Sequence, residues 1–133
     1  CLHPQDRELW DMLEIQCRMF SIPFVPAPPP DCWIDDGSEV RVGQYAGTVI
    51  HTPGHTPGSV CFFFGNLGFL LSGDTLFRGG IGRTDLWGGD GQAIGRSIRE
   101  RLYTLKDDTL VIPRHDSESS VGWEREHNIF VNT

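Results

Sequence analysis

No stretch of this sequence gathers positive charge. Eleven Lys and Arg stand scattered against eighteen Asp and Glu, for a formal net charge of −7. Nothing is there to neutralise a row of phosphates, so nucleic acid is excluded as a partner class. Long apolar runs are missing too; the longest fall far below the roughly 20 residues a membrane-crossing helix needs, and no membrane partner is expected. Neither a signal-peptide nor a lipidation pattern is visible. The four cysteines, Cys1, Cys17, Cys32 and Cys61, make no Cys-x-x-Cys pair and no zinc-ribbon spacing. Reduced, mainly structural thiols of a cytoplasmic protein are expected, with Cys61 in the core. Met is absent from position 1; a chain that opens on Cys1 is expected to be a processed product or a fragment.

What is present suffices for a core. Hydrophobic residues make up 38% of the 133, among them four Trp and eight Phe, which fits one small domain or part of a larger one. Pro4 suits a helix start, and Leu9, Leu13, Cys17 and Phe20 recur at helical spacing. This predicts an amphipathic helix to Phe20 that covers one face of a sheet. Five prolines between Ser21 and Cys32 forbid helix or central strand there. Strands are expected at Glu39–Val42, Thr48–His51, Val60–Phe64, Phe69–Ser72 and Thr109–Ile112. Asp74 to Gly91 is Gly-rich and reads as a long functional loop. Asp90 is placed to cap a helix whose Ile94, Ile98, Leu102 and Leu105 share one face. A short helix is expected over Trp123–Asn128. The fold class is α/β (α+β), a mixed sheet with helices on one exposed side.

Just past the ends of three of these strands lie potential metal ligands. His55 lies between Pro53-Gly54 and Pro57-Gly58, a turn stiff at proline and permissive at glycine that can aim an imidazole. Asp74 follows an apolar strand and a glycine, where a carboxylate can bridge two cations. His115 follows Ile112-Pro-Arg. Sheets of this class place chemistry at the carboxyl ends of strands. Singly, each residue reads more simply as a turn or loop side chain; together they point to a shared metal site. Zinc is expected, with iron and manganese suited to the same donors. His51, four residues before His55, is the weaker candidate, because the prolines forbid a helical ligand pair; it reads as a strand-end side chain that packs or bonds to the backbone.

Nearly the whole chain resembles the metallo-β-lactamase-fold hydrolases, closest to the glyoxalase II (hydroxyacylglutathione hydrolase) branch. The resemblance is carried by His51-Thr-Pro-Gly-His55-Thr-Pro-Gly-Ser59, Ser72-Gly-Asp74-Thr-Leu-Phe77, Gly82-Arg83-Thr-Asp85, Val111-Ile-Pro-Arg-His115 and Trp123-Glu-Arg-Glu-His-Asn128. It implies an αββα sandwich. It implies that His55 binds one metal, His115 a second, and Asp74 both, with two zincs in the complete fold and His51 not a ligand. It implies that Arg83 helps hold glutathione, through a forked contact to an anionic peptide; the plainer reading of Arg83 is a salt bridge to Asp85 or Asp74. No catalytic side chain is assigned beyond a metal-bound hydroxide that attacks the thioester.

Two departures stand out. The family's leading His-x-His-x-Asp-His motif is absent from these residues. Residues 1–133 are therefore expected to form a single partial domain, the C-terminal part of the sandwich, with a complementing N-terminal half or a second copy as partner. Where the family has Pro-Gly-His-Gly, this chain has Pro113-Arg-His-Asp116; Arg114 and Asp116 either disturb the second metal site or pair with each other. Three readings follow. The first is a zinc-dependent hydrolase of a small-molecule glutathione thioester, inactive as this piece. The second is a mononuclear iron persulfide dioxygenase, a branch that shares Gly-Arg-Thr-Asp. The third is a catalytically dead half-domain with a binding role.

Overall fold

A computed structural model describes residues 1–132. Six strands form one sheet in the order β1-β2-β3-β4-β7-β8: β1 (Glu39–Val42), β2 (Tyr45–His51), β3 (Val60–Phe64), β4 (Phe69–Gly73), β7 (Leu110–Pro113) and β8 (Ser119–Ser120). Neighbours are antiparallel except β4 and β7, which are parallel. A small hairpin, β5 (Leu76–Phe77) and β6 (Gly80–Ile81), stands apart from it. Two antiparallel steps separate β2 from β4, so β2, β4 and β7 all run the same way and end at one edge.

The core lies on one face of the sheet. Ile50, Cys61, Leu70 and Val111 alternate inward from four adjacent strands. They meet α3 (Gly91–Ser97), which continues as a π turn over Ile98–Leu102, and α4 (Val121–His127). Ile94, Ile98 and Leu102 are fully buried at the expected helical spacing, and Asp90 caps α3 by accepting from the main-chain N–H groups of Gln92 and Ala93. Helices on one side of a mixed sheet are thus as expected, and Cys61 is a core residue. Phe62, Leu71 and Ile112 sit on the opposite face and are half-buried.

The N-terminal helix departs from expectation. It is two short helices, α1 (Arg7–Asp11) and α2 (Leu13–Met19), after a single 3-10 turn over Pro4–Asp6, and none of them holds a buried residue. The break falls at Met12, where the Gln16 side-chain amide donates to the Leu9 carbonyl at 2.7 Å and so enters the helical ladder. This arm covers no sheet face; it leans on the turn that carries His55. Asp6 accepts from the Thr56 hydroxyl at 2.8 Å and from the Gly58 main-chain N–H at 2.7 Å.

The expectation of four reduced thiols holds for Cys17 and Cys61 and fails for Cys1 and Cys32, which are joined in a disulfide. A parallel bridge between Leu2 and Trp33 is the reason. Leu2 donates to the Cys32 carbonyl and accepts from Ile34, which lays the two cysteines side by side with their Cα atoms 4.6 Å apart. Among the described residues no helix is long and apolar enough to cross a membrane.

Candidate metal centre

The common edge of β2, β4 and β7 brings the three strand-end residues together. Asp74 follows β4 directly. Its neighbour β7 is parallel, and the register shifts between Leu71 and Gly73 so that Gly73 faces Pro113; Arg114 and His115 therefore emerge beside Asp74. His55 arrives from the far side of the sheet through the turn after β2. A Cβ at Gly54, whose φ is +144°, would collide with Ile94 of α3, so only glycine lets the turn lie this close. Asp90 donates its main-chain N–H to the Gly54 carbonyl at 2.8 Å, and the Ser97 hydroxyl donates to Pro53 at 2.8 Å, tying the turn to α3.

The two imidazoles face opposite oxygens of one carboxylate. His55 Nε2 lies 3.8 Å from Asp74 Oδ2, and His115 Nε2 lies 3.2 Å from Oδ1. Asp74 and His55 are largely enclosed, whereas His115 is exposed and is steadied by stacking on Phe77 of β5, centroids 4.9 Å apart. His55 Nδ1 meets the Arg83 main-chain carbonyl at 2.8 Å. A carbonyl only accepts, so Nδ1 carries the proton and Nε2 of the neutral ring keeps its lone pair toward Asp74. Two imidazoles and a carboxylate suit zinc, iron or manganese. Each histidine with its own carboxylate oxygen is the layout of a carboxylate that could be shared between two ions.

The expected alternative that Arg114 and Asp116 pair with each other is not realised: the partner of Arg114 is Asp74, Nη1 to Oδ2 at 3.1 Å. Asp116 adopts φ +81°, the left-handed region where the resembling family has glycine, a conformation that costs a non-glycine residue about 1 kcal/mol and that Asp tolerates best. The Arg83 guanidinium makes a two-pronged contact with Asp85 at 2.8 Å per bond, the plainer of the two expected roles. That fork holds the Asp85 carboxyl down to about 2. His51 stays outside the site: its ring stacks on His3 at 4.2 Å and its Nε2 bonds to the Pro57 carbonyl at 2.8 Å. Sequence reasoning missed two contributors, the Arg83 carbonyl and the Phe77 ring. The aromatic beside Gly-Asp-Thr was visible as a residue, but main-chain contacts leave no sequence signature.

The Metallo-beta-lactamase superfamily profile matches residues 2–115. Hydroxyacylglutathione hydrolase GloC of Haemophilus influenzae is 36% identical over 130 residues, covering 97% of this chain and 61% of that protein. The mitochondrial persulfide dioxygenase ETHE1 of Homo sapiens is 38% identical over 86 residues, covering 65% of this chain and 34% of that protein. The crystal structure of TTHA1623 in a di-iron-bound form superposes with a TM-score of 0.84 at 35% identity, covering 97% of this chain and 63% of that one. The chain spans 51 to 63% of the length of the first curated relatives it matches. With the profile match running from Leu2 through His115, and so across all three strand-end donors, the chain belongs to the metallo-β-lactamase superfamily.

Proposed function

We propose that this chain supplies His55, Asp74 and His115 to the two-metal centre of a hydrolase that cleaves a glutathione thioester. The observation that carries the reading is the placement of the two imidazoles on opposite oxygens of Asp74; similarity to GloC supports the substrate class. Bound metal would supply Lewis acidity and an activated water near neutral pH. The chain's own residues do the positioning. The Arg83 carbonyl holds the His55 ring, and Phe77 holds His115. The Arg83 guanidinium, carried on an exposed loop with Asp85, is a forked donor that would exchange its partner for a carboxylate of the glutathione peptide.

A catalytic zinc takes about three protein ligands, so three donors shared by two ions leave most of the centre to residues outside these 133. The isolated chain should show no more than trace hydrolysis of S-lactoylglutathione with added zinc, and the intact protein should bind about two metals and turn it over. Robust turnover by the isolated chain, abolished in His55→Ala and Asp74→Ala, would overturn this division of the site. An intact protein without thioesterase activity would overturn the thioester reading.

The similarity to a persulfide dioxygenase and the Gly82-Arg83-Thr84-Asp85 stretch support a second reading. It requires a single iron and oxygen uptake with glutathione persulfide. Metal analysis together with an oxygen electrode separates the two.

A further inference from the structure

A cleft of about 390 Å³ opens beside His55, between α2 and the Leu86–Trp87 loop. We propose that it is an acyl pocket, and that the protein prefers thioesters with long alkyl or aryl acyl groups over short hydroxyacyl ones. The inference rests on the thioester reading above and names the part of the substrate that this chain selects.

The walls are apolar and come from segments far apart in sequence: Leu9, Met19 and Phe20 on one side, Leu86 and Trp87 on the other. Among the described residues Met19 is 63% exposed, Phe20 55%, and Leu86 and Trp87 41% each, so four large side chains present apolar surface around the cleft. The size suits a small-molecule site.

Several polar groups at its edge already have partners within the chain. The Gln16 amide donates to the Leu9 carbonyl, the Thr56 hydroxyl donates to Asp6, and Asp85 is held by the Arg83 fork. Methylene groups entering here would gain by burial against these walls, whereas a short hydroxyacyl group would leave most of that apolar surface uncovered. The wall is also fixed relative to the metal side. Asp6 binds both Thr56 and Gly58, and these flank the turn after His55. An acyl chain in the cleft would place its carbonyl at His55 and its sulfur-linked peptide toward Arg83.

The test uses the intact protein and ligands that cannot be cleaved. Isothermal titration calorimetry would compare S-methylglutathione, S-octylglutathione and S-octyl-N-acetylcysteamine, which lacks the peptide carboxylates. A methylene buried on one side should give about twofold in affinity, so S-octylglutathione should bind on the order of 100-fold more tightly than S-methylglutathione. The double variant Met19→Ala/Trp87→Ala should lose at least about tenfold of that gain and leave S-methylglutathione within twofold, by the same burial arithmetic. Equal affinity for the methyl and octyl glutathione ligands would overturn the acyl pocket and leave the glutathione reading standing. Equal affinity for the two octyl ligands, both tight, would keep the pocket and overturn glutathione. Binding of none of the three would overturn both. The ligand series on the unmodified protein decides the matter even if the double variant fails to fold.

Discussion

His55 donates its Nδ1 proton to the main-chain carbonyl of Arg83 at 2.8 Å, so the residue expected to serve through its side chain also serves through its backbone. That carbonyl is placed by Gly82, whose N–H donates to the Thr75 carbonyl at 3.1 Å and whose missing side chain leaves room for the Asp74 carbonyl. His55, Asp74 and the Arg83 carbonyl are thus packed through one glycine.

Gly82→Ala should therefore damage the site. Its Cβ would collide with the Asp74 main chain, an overpacking that costs about 1–3 kcal/mol, and the forced shift would carry the Arg83 carbonyl off His55. Gly80→Ala is the control, since a Cβ there meets only Phe77 at 3.8 Å. Thermal melts and zinc titration should show Gly82→Ala impaired in both and Gly80→Ala near the unmodified protein. Equal losses in the two would show that contact with Asp74 is not the cause.

Arg114 holds the same Asp74 oxygen that faces His55. A cation entering between them must displace a guanidinium that is 73% exposed. Exposed ion pairs are worth about 0.2–1 kcal/mol, so Arg114→Gly should tighten zinc binding by about 1.5- to 5-fold. Competition titration against a chelating dye reads this directly. Unchanged or weaker binding would mean that the guanidinium supports the carboxylate and does not compete for it.

The candidate site was the most legible part of the sequence, because strand direction is itself legible. Two hairpin steps from β2 to β4, then a helical crossover to β7, oblige His55, Asp74 and His115 to share an edge. The Asp90 cap and the Ile94, Ile98, Leu102 stripe were equally plain. Periodicity failed at the N-terminus for a physical reason: Leu9, Leu13, Cys17 and Phe20 declare a common face but not what that face meets, and a single Gln16 amide sufficed to break the helix. Strands of two residues, as in β5, β6 and β8, are too short to show alternation. The Cys1–Cys32 disulfide had no spacing signature, since a bridge across 31 residues made it.

Acid should weaken the β2 end of the sheet through Asp36. The His51 main-chain N–H, bonded at 2.9 Å, holds the Asp36 carboxyl below its ordinary 3.8, with help from the Arg101 guanidinium. A depressed folded value means that the stabilisation is fully present above the unfolded value and is lost as pH falls through the folded one, so the window lies below about pH 4. The side chain is 47% exposed, and solvent screening keeps the effect under about 1 kcal/mol. Asp36→Asn keeps an acceptor for His51 and removes the charge. Urea denaturation should find it less stable than the unmodified protein at pH 7 and equal to it near pH 2. A gap that persists at low pH would assign the loss to geometry.

The two free cysteines should differ sharply toward an alkylating reagent. Cys61 is fully buried in β3, and burial pushes its thiol up to about 11, although hydrogen bonding with Thr52 and Thr75 acts the other way. Only the thiolate reacts, and at pH 8 about one Cys61 in a thousand would be ionised even if the reagent could reach it. Cys17 sits half-buried on the exposed arm. Iodoacetamide at pH 8 without reductant should add one group per native chain, at Cys17, and a second at Cys61 only in denaturant; Cys1 and Cys32 should label only after reduction. Because Cys61 is paired in register with Ile50 at the centre of the sheet, its labelling reports opening of β2 from β3, and its rate should follow global unfolding. Native labelling of Cys61 as fast as that of Cys17 would show that β3 opens locally, and would undercut the rigid strand edge on which the placement of His55 beside Asp74 depends.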